Sequence, residues 1–287
     1  MWILFALAAA FFAAVNRTLM KGATSHVNDR TIVLWRNFFA AVPALALLIF
    51  IDIPEVGAGF YYAAPAACLL DVVAITFMSK SLRASSIGKS VPLLSFTPVF
   101  LLLSGWVILD EFPELLGLCG VVIIVAGSYI LGCTRDNANI LDPFRMISKD
   151  PGARYMLGAA ACFAVAGPFF KKAVLSSSPA FCVALTLPLS TLFIFSYHML
   201  SGQRLGAIAP HKGWKLLLAL GICVLGVALT TNLAFATGLA SYVVSMKRLS
   251  IVFNILLGAF FFKEKDLVQN LFAAAIMVAG AVLIALS

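Results

Sequence analysis

A chain of 287 residues in which 62% are hydrophobic and 11% charged, with a mean hydropathy of +1.05, falls outside the soluble globular class, where the apolar share is nearer half. It is expected to be an integral membrane protein. The formal charge of +8 would direct a soluble domain towards nucleic acid, but here the basic residues are spread over loops and helix ends, as membrane orientation and anionic headgroups require. No nucleic-acid partner is expected.

At about 20 residues per span, the sequence divides into ten predicted helices: 2–21, 31–51, 60–80, 86–108, 114–132, 154–174, 179–200, 214–237, 240–262 and 267–286. The first apolar run follows Met1 with no basic segment and no convincing cleavage site, so it is expected to be a transmembrane helix rather than a signal peptide. Cys68, Cys119, Cys133, Cys162, Cys182 and Cys223 fall mostly in apolar runs without metal-ligand spacing. They are read as small packing residues with no disulfide framework. His26 and His211 lie in predicted loops and His198 at a helix end, which assembles neither a zinc site nor a catalytic triad. With no HExxH, no GxSxG and no paired intramembrane aspartates, an enzyme is not expected, and no metal or cofactor is called for.

The long polar stretch 133–153 separates a first five-helix unit, 1–132, from a second, 154–287. The units repeat one another. A shift of 153 lays residues 91–131 on 244–284 with eleven identities in 41 positions, among them Phe100 on Phe253, Gly105 on Gly258, Glu111 on Glu264 and Val125-Ala126-Gly127 on Val278-Ala279-Gly280. A weaker match at a shift of 151 relates Ala8–Ala10, Phe12, Ala13 and Lys21 to Ala159–Ala161, Phe163, Ala164 and Lys172. Because each unit holds an odd number of spans, the second must enter the bilayer from the opposite side. Inverted repeats are an architecture of secondary transporters.

The patterns PLLSFTPVF…DE and KRLSIVF…FKE, each followed by VAG, resemble the EamA-type members of the drug/metabolite transporter superfamily over essentially the whole chain. That resemblance implies an all-α membrane protein of ten transmembrane helices in two inverted five-helix repeats, a central cavity, and export or exchange of small metabolites. It does not identify a substrate.

Small-residue pairs, Ala9 with Ala13, Ala160 with Ala164 and Ala275 with Ala279, are expected to let helices approach closely. Glu111 and Glu264 sit where one helix ends and the next begins, suited to the positive end of helix five or ten, and are expected to be structural, with gating as the alternative. Pro92, Pro98, Pro168 and Pro188 are expected to kink spans four, six and seven. Arg17, Arg36 and Lys89 lie near helix ends on one face, and Lys171 and Lys172 near the ends on the other, where snorkelling accounts for them.

Lys247 and Arg248 lie deeper, about 10 Å into span nine at 1.5 Å per residue. A charge so placed costs about 2.5–3.5 kcal/mol and is expected to line water, pair or bind. About 100° separates them around a helix, so one is expected to face a cavity and the other to pair or snorkel. The phosphate-carrying branches of the superfamily look similar in helix nine, which favours an anionic substrate. The matching positions of the first unit are the uncharged Leu94 and Ser95. Asp71, near the centre of span three, is expected either to pair with Arg36 or Lys247 or to take up a proton for coupling, pairing being preferred. Among uncharged polar residues Asn16, Asn232, Tyr242 and Ser95 complete the candidate substrate-binding set with Lys247, Arg248 and Arg36.

Thirteen basic residues lie in or beside the connections after spans one, three, five, seven and nine, against Lys171 and Lys172 after the even-numbered spans. The positive-inside rule therefore places both termini outside the cytoplasm, while the resemblance places them inside. The expectation that emerges is a secondary transporter of a small polar, anionic metabolite in the cell (inner) membrane, working as a monomer with lipid around it. Two alternatives stand beside it: a flippase for lipid-linked phosphate, and an exporter of neutral amino acids or drugs.

Overall fold

A computed structural model describes residues 1–23, 29–84, 91–134, 147, 149–200, 213–262 and 267–287, and all of its principal elements there are helical. They are α1 (Trp2–Ala23), α2 (Asp29–Ala46) with a 3₁₀ turn Leu47–Ile49, α3 (Ala58–Ala84), a 3₁₀ stretch Val91–Phe96 leading into α4 (Thr97–Leu109), α5 (Leu115–Thr134), α6 (Pro151–Leu175), α7 (Pro179–Leu200), α8 (Trp214–Thr237), α9 (Ala240–Lys247), α10 (Ser250–Phe262) and α11 (Leu267–Leu286). Among the described residues, eight helical stretches are long and apolar enough to cross a bilayer, and Leu115–Leu131 and Phe272–Leu286 are shorter apolar helices. Large hydrophobic side chains such as Leu4, Phe11, Phe38, Leu69, Leu103, Trp106, Val122 and Leu192 stand exposed around the bundle. An apolar surface of that extent belongs in lipid, so the chain is a multi-pass membrane protein.

Helices pair antiparallel. Along α1 and α8, Trp2 meets Gly238, Phe12 meets Gly226 and Asn16 bonds to Leu220. Along α3 and α6, Ser81 donates to the Gly152 carbonyl, Phe77 packs on Gly158 and the Gly57 amide donates to Ser176 O at 2.8 Å. α5 and α11 run so close that a Cβ on Gly120 would stand 2.7 Å from Gly280 O, and one on Gly127 would stand 3.0 Å from Ala273 O. The shift of 153 carries Gly120 to Ala273 and Gly127 to Gly280, so these two contacts exchange under the internal repeat. Ala275 and Ala279, expected to let helices approach closely, are exposed instead; the glycines make this contact because only they admit the facing backbone. Gly120→Val or Gly280→Val is expected to cost about 1–3 kcal/mol through overpacking, read as a lowered melting temperature in detergent.

One end of the bundle carries Ser81 and Gly152. At the other end lie Trp2, Gly57, Glu111, Ser176 and Gly238. These are called below the Gly152 end and the Glu111 end.

Proline effects divide by position. Pro168 and Pro188 lie inside α6 and α7, as do Pro43 in α2 and Pro65 in α3, which had not been singled out. Pro92 sits in the 3₁₀ stretch and Pro98 in the first turn of α4, where a missing amide costs nothing in the new helix. Span four is thus interrupted at Val91–Phe96. Span nine, expected to be continuous over 240–262, is interrupted as an α-helix: α9 ends at Lys247 and α10 restarts at Ser250, joined by 3₁₀-type bonds from the Arg248 and Leu249 amides to Ser245 O and Met246 O.

Candidate functional site

The two interruptions meet. Under the shift of 153, Leu94 corresponds to Lys247, so the breaks occupy matching places in the two units. Arg248 caps α9 and its Nη2 donates to the Leu94 carbonyl at 2.8 Å, an oxygen that also accepts from Thr97 Oγ1 at 2.7 Å. Irregular backbone at membrane depth leaves carbonyls without helical partners, and a guanidinium satisfies one of them here. Arg248 thereby ties one broken span to the other.

Lys247, at the last position of α9, lies within electrostatic reach of Asp71 on α3 and of Arg248 and Arg17. Asp71 also feels Arg36 on α2. Among the described residues its carboxylate makes no direct ion pair with either cation, so the expected salt bridge is a coupling through the field rather than a contact. Arg36 is half-buried; its Nη1 donates to Asn16 Oδ1 at 3.5 Å, while Asn16 Nδ2 donates to Leu220 O at 3.2 Å. Asn16 is therefore a buried strut between α1, α2 and α8. Asn16→Leu is expected to strand both partners at about 1–3 kcal/mol, again visible in the melting temperature.

Arg17 is the residue that sequence reading missed. It is exposed, yet it lies close enough to Lys247 and Arg248 to repel both. Its depth was the available signal: six residues from the end of α1 is about 9 Å at 1.5 Å per residue. Among the described residues, Arg36 and Lys247 thus act on one carboxylate, Asp71, while Arg17 and Arg248 extend the cation cluster on the far side of Lys247. Thr18 Oγ1 and Asn254 Oδ1, 3.3 Å apart, join α1 to α10 beside them.

Other predicted residues are placed differently. Asn232 is buried on α8 and donates to Ala228 O of its own helix, and its Oδ1 has no partner among the described residues. Ser95 is buried in the 3₁₀ stretch. Among the described residues, Ser245 Oγ, Ser250 Oγ and Arg36 Nε are buried without a hydrogen-bond partner, which makes them groups a ligand can engage. Tyr242 stacks on Trp2 with ring centroids 6.0 Å apart and its hydroxyl lies against Gly117, so it belongs to the apolar layer at the Glu111 end rather than to the charge cluster.

Lys171 departs from expectation. It does not snorkel; it is 5% exposed and pairs with Glu111. Glu111 in turn serves the start of α9, accepting from the Ala240 amide at 3.2 Å, rather than helix five. Lys172 lies over the Tyr62 ring at 5.4 Å. Glu264, Lys89 and Cys133 lie outside the described residues or side chains.

No curated protein matches the chain. A solved structure described as "Crystal structure of protein" aligns over 99% of this chain and 96% of its own, with a TM-score of 0.82 at 14% identity, which shows a shared fold. A sequence model described as the EamA-like transporter family matches residues 1–133 and again residues 150–286. Two copies of that unit in one chain accord with the internal repeat and the helical bundle. The chain belongs to the EamA-like transporter family and is a multi-pass membrane transporter.

Proposed function

We propose that the protein is a ten-span secondary transporter that moves a small anionic metabolite by alternating access. The observation that carries this reading is the excess of cations over carboxylate at two matched helix interruptions. Intramembrane charge left in such excess is costly unless an anion or water offsets it. Broken helices in corresponding places of two repeats are a pointer to a transporter binding site. Lys247 is the principal anchor, Arg17 and Arg36 add field, and Arg248 both binds and holds the interruptions together. Asp71 keeps Lys247 and Arg36 oriented and limits how tightly the anion is held. Antiparallel pairing of α1 with α8, α3 with α6 and α5 with α11 supports inverted units at 1–132 and 154–287 joined by 133–153.

The protein is placed in the cell (inner) membrane as a monomer, with both termini outside the cytoplasm. A reporter fused to the C-terminus is expected to be active only for an external location. One observation favours a lipid-linked substrate as a second reading: a groove between α2, α3 and α7 is lined by Val72, Ile75 and Ile194 beside Thr76, Ser79 and Lys80, apolar and polar side chains in one groove. A thermal-shift screen of the solubilised protein against small organic anions and phosphorylated lipids separates the two. Stabilisation by a soluble anion that disappears in Lys247→Ala and Arg248→Ala supports the proposal. Stabilisation that survives both substitutions removes the pair from the site.

A further inference from the structure

We propose that Glu111 and Lys171 form the gate that closes the transport path at the Glu111 end. This rests on the alternating-access reading and adds to it the residues that hold one face shut. Glu111 lies in the turn after α4, within the first matched stretch, and Lys171 lies on α6, within the second. The turn is set by Asp110, whose left-handed φ of 58° is one that aspartate tolerates. The amides of Asp110 and Glu111 bond back to Trp106 O and Gly105 O, the first being the bond of an αL helix end. This turns the Glu111 side chain towards α6.

The two charges then serve three segments at once. One carboxylate oxygen pairs with Lys171 and the other accepts from the Ala240 amide at the N-terminus of α9, while Lys171 Nζ donates to Gly238 O at 2.7 Å. The end of α4, the end of α6 and the α8–α9 turn are thereby locked together. Just inside lie the Trp2–Tyr242 stack and the buried Ala240, Val243 and Met246. Access to Lys247 from this end is blocked, whereas Arg17, nearer the Gly152 end, is exposed.

A buried ion pair adds little net stability, because the desolvation it suffers nearly cancels its attraction. Opening the end to water returns that hydration, so closed and open arrangements differ by little, as a bistable element requires. Removing one partner is different: an unpaired buried charge makes the closed state unfavourable. The lock also communicates with the site. α4 runs from the gate to the Leu94 interruption, and α9 runs from Ala240 to Lys247, so releasing Ala240 and Glu111 moves both sides of the broken spans.

The test uses full-length protein in proteoliposomes with the native cysteines replaced and one reporter at a time: Ser241→Cys for the Glu111 end, Asn254→Cys for the other. The readout is the rate of labelling by a membrane-impermeant maleimide applied to each side. Glu111→Gln and, separately, Lys171→Met are expected to speed labelling at position 241 and slow it at position 254, each by at least about tenfold. The exchanged pair Glu111→Lys with Lys171→Glu restores the ion pair but not the bonds to the Ala240 amide and the Gly238 carbonyl, and is expected to return both rates only part of the way to wild type. Loosening of the fold would instead speed both sites together, and that outcome, or no change at either, overturns the gate. Reciprocal labelling in a protein that moves no solute leaves the gate standing and removes the transport reading; transport with unaltered labelling removes the gate alone.

Discussion

Replacing Lys247 with methionine is expected to weaken binding of an anionic substrate by about 30- to 5,000-fold, the effect of about 2–5 kcal/mol for loss of one partner in a desolvated charge contact. The melting temperature of the ligand-free protein should stay the same or rise. Methionine keeps much of the lysine's length and volume and removes a charge that, among the described residues, has only one carboxylate, Asp71, in its vicinity. Swaps of buried charge for an apolar side chain of similar size are often neutral or stabilising. Arg248→Met should behave differently, because Arg248 also holds the Leu94 carbonyl; there the melting temperature should fall together with affinity. Titrating a stabilising anion against both variants in a thermal-shift assay separates a residue that only binds from one that also builds the site.

Asp71→Asn is expected to tighten anion binding and slow turnover. The carboxylate sits among Arg36 and Lys247, repelling any anion that approaches them. Two unit charges about 8 Å apart at an effective dielectric of about 20 interact by about 2 kcal/mol, so after screening the gain in affinity should be about five- to tenfold. A site that holds its cargo more tightly releases it more slowly, and uptake rates should fall while the apparent Kd decreases. If Asp71 instead acts solely as a proton carrier, affinity should be unchanged and only the response to an imposed proton gradient should vanish. Tracer uptake with and without that gradient, beside a binding titration, distinguishes the two.

Span positions were legible because about 20 apolar residues in succession leave few alternatives in a membrane chain. The duplication was legible because Glu111, Glu264 and the two Val-Ala-Gly triplets keep their spacing. The break in span four was partly legible through Pro92 and Pro98. The break in span nine was not: Ser245-Met246-Lys247-Arg248-Leu249 contains neither proline nor glycine. Its interruption is accompanied by a tertiary bond from Arg248 to a carbonyl 154 residues away, which no local pattern announces. The different fates of Lys171 and Lys172 were also hidden. Adjacent lysines near a helix end read alike, and only the packing of α6 against the α4 turn buries one and leaves the other over Tyr62. Arg17 was read as peripheral for the same reason, since depth along a helix is written in the sequence but the direction of a side chain across a bundle is not.

The central claim, that this protein moves a small anion past Lys247, is tested most directly by counterflow in proteoliposomes. Liposomes containing the purified protein are loaded with one unlabelled organic anion at a time, from monocarboxylates to phosphate monoesters, and external labelled anion of the same kind is followed as it enters. At least one anion is predicted to accumulate transiently above its equilibrium level with the wild-type protein and to fail to do so with Lys247→Met. Absence of accumulation for every anion under every imposed gradient, or accumulation undiminished in Lys247→Met, would contradict the account.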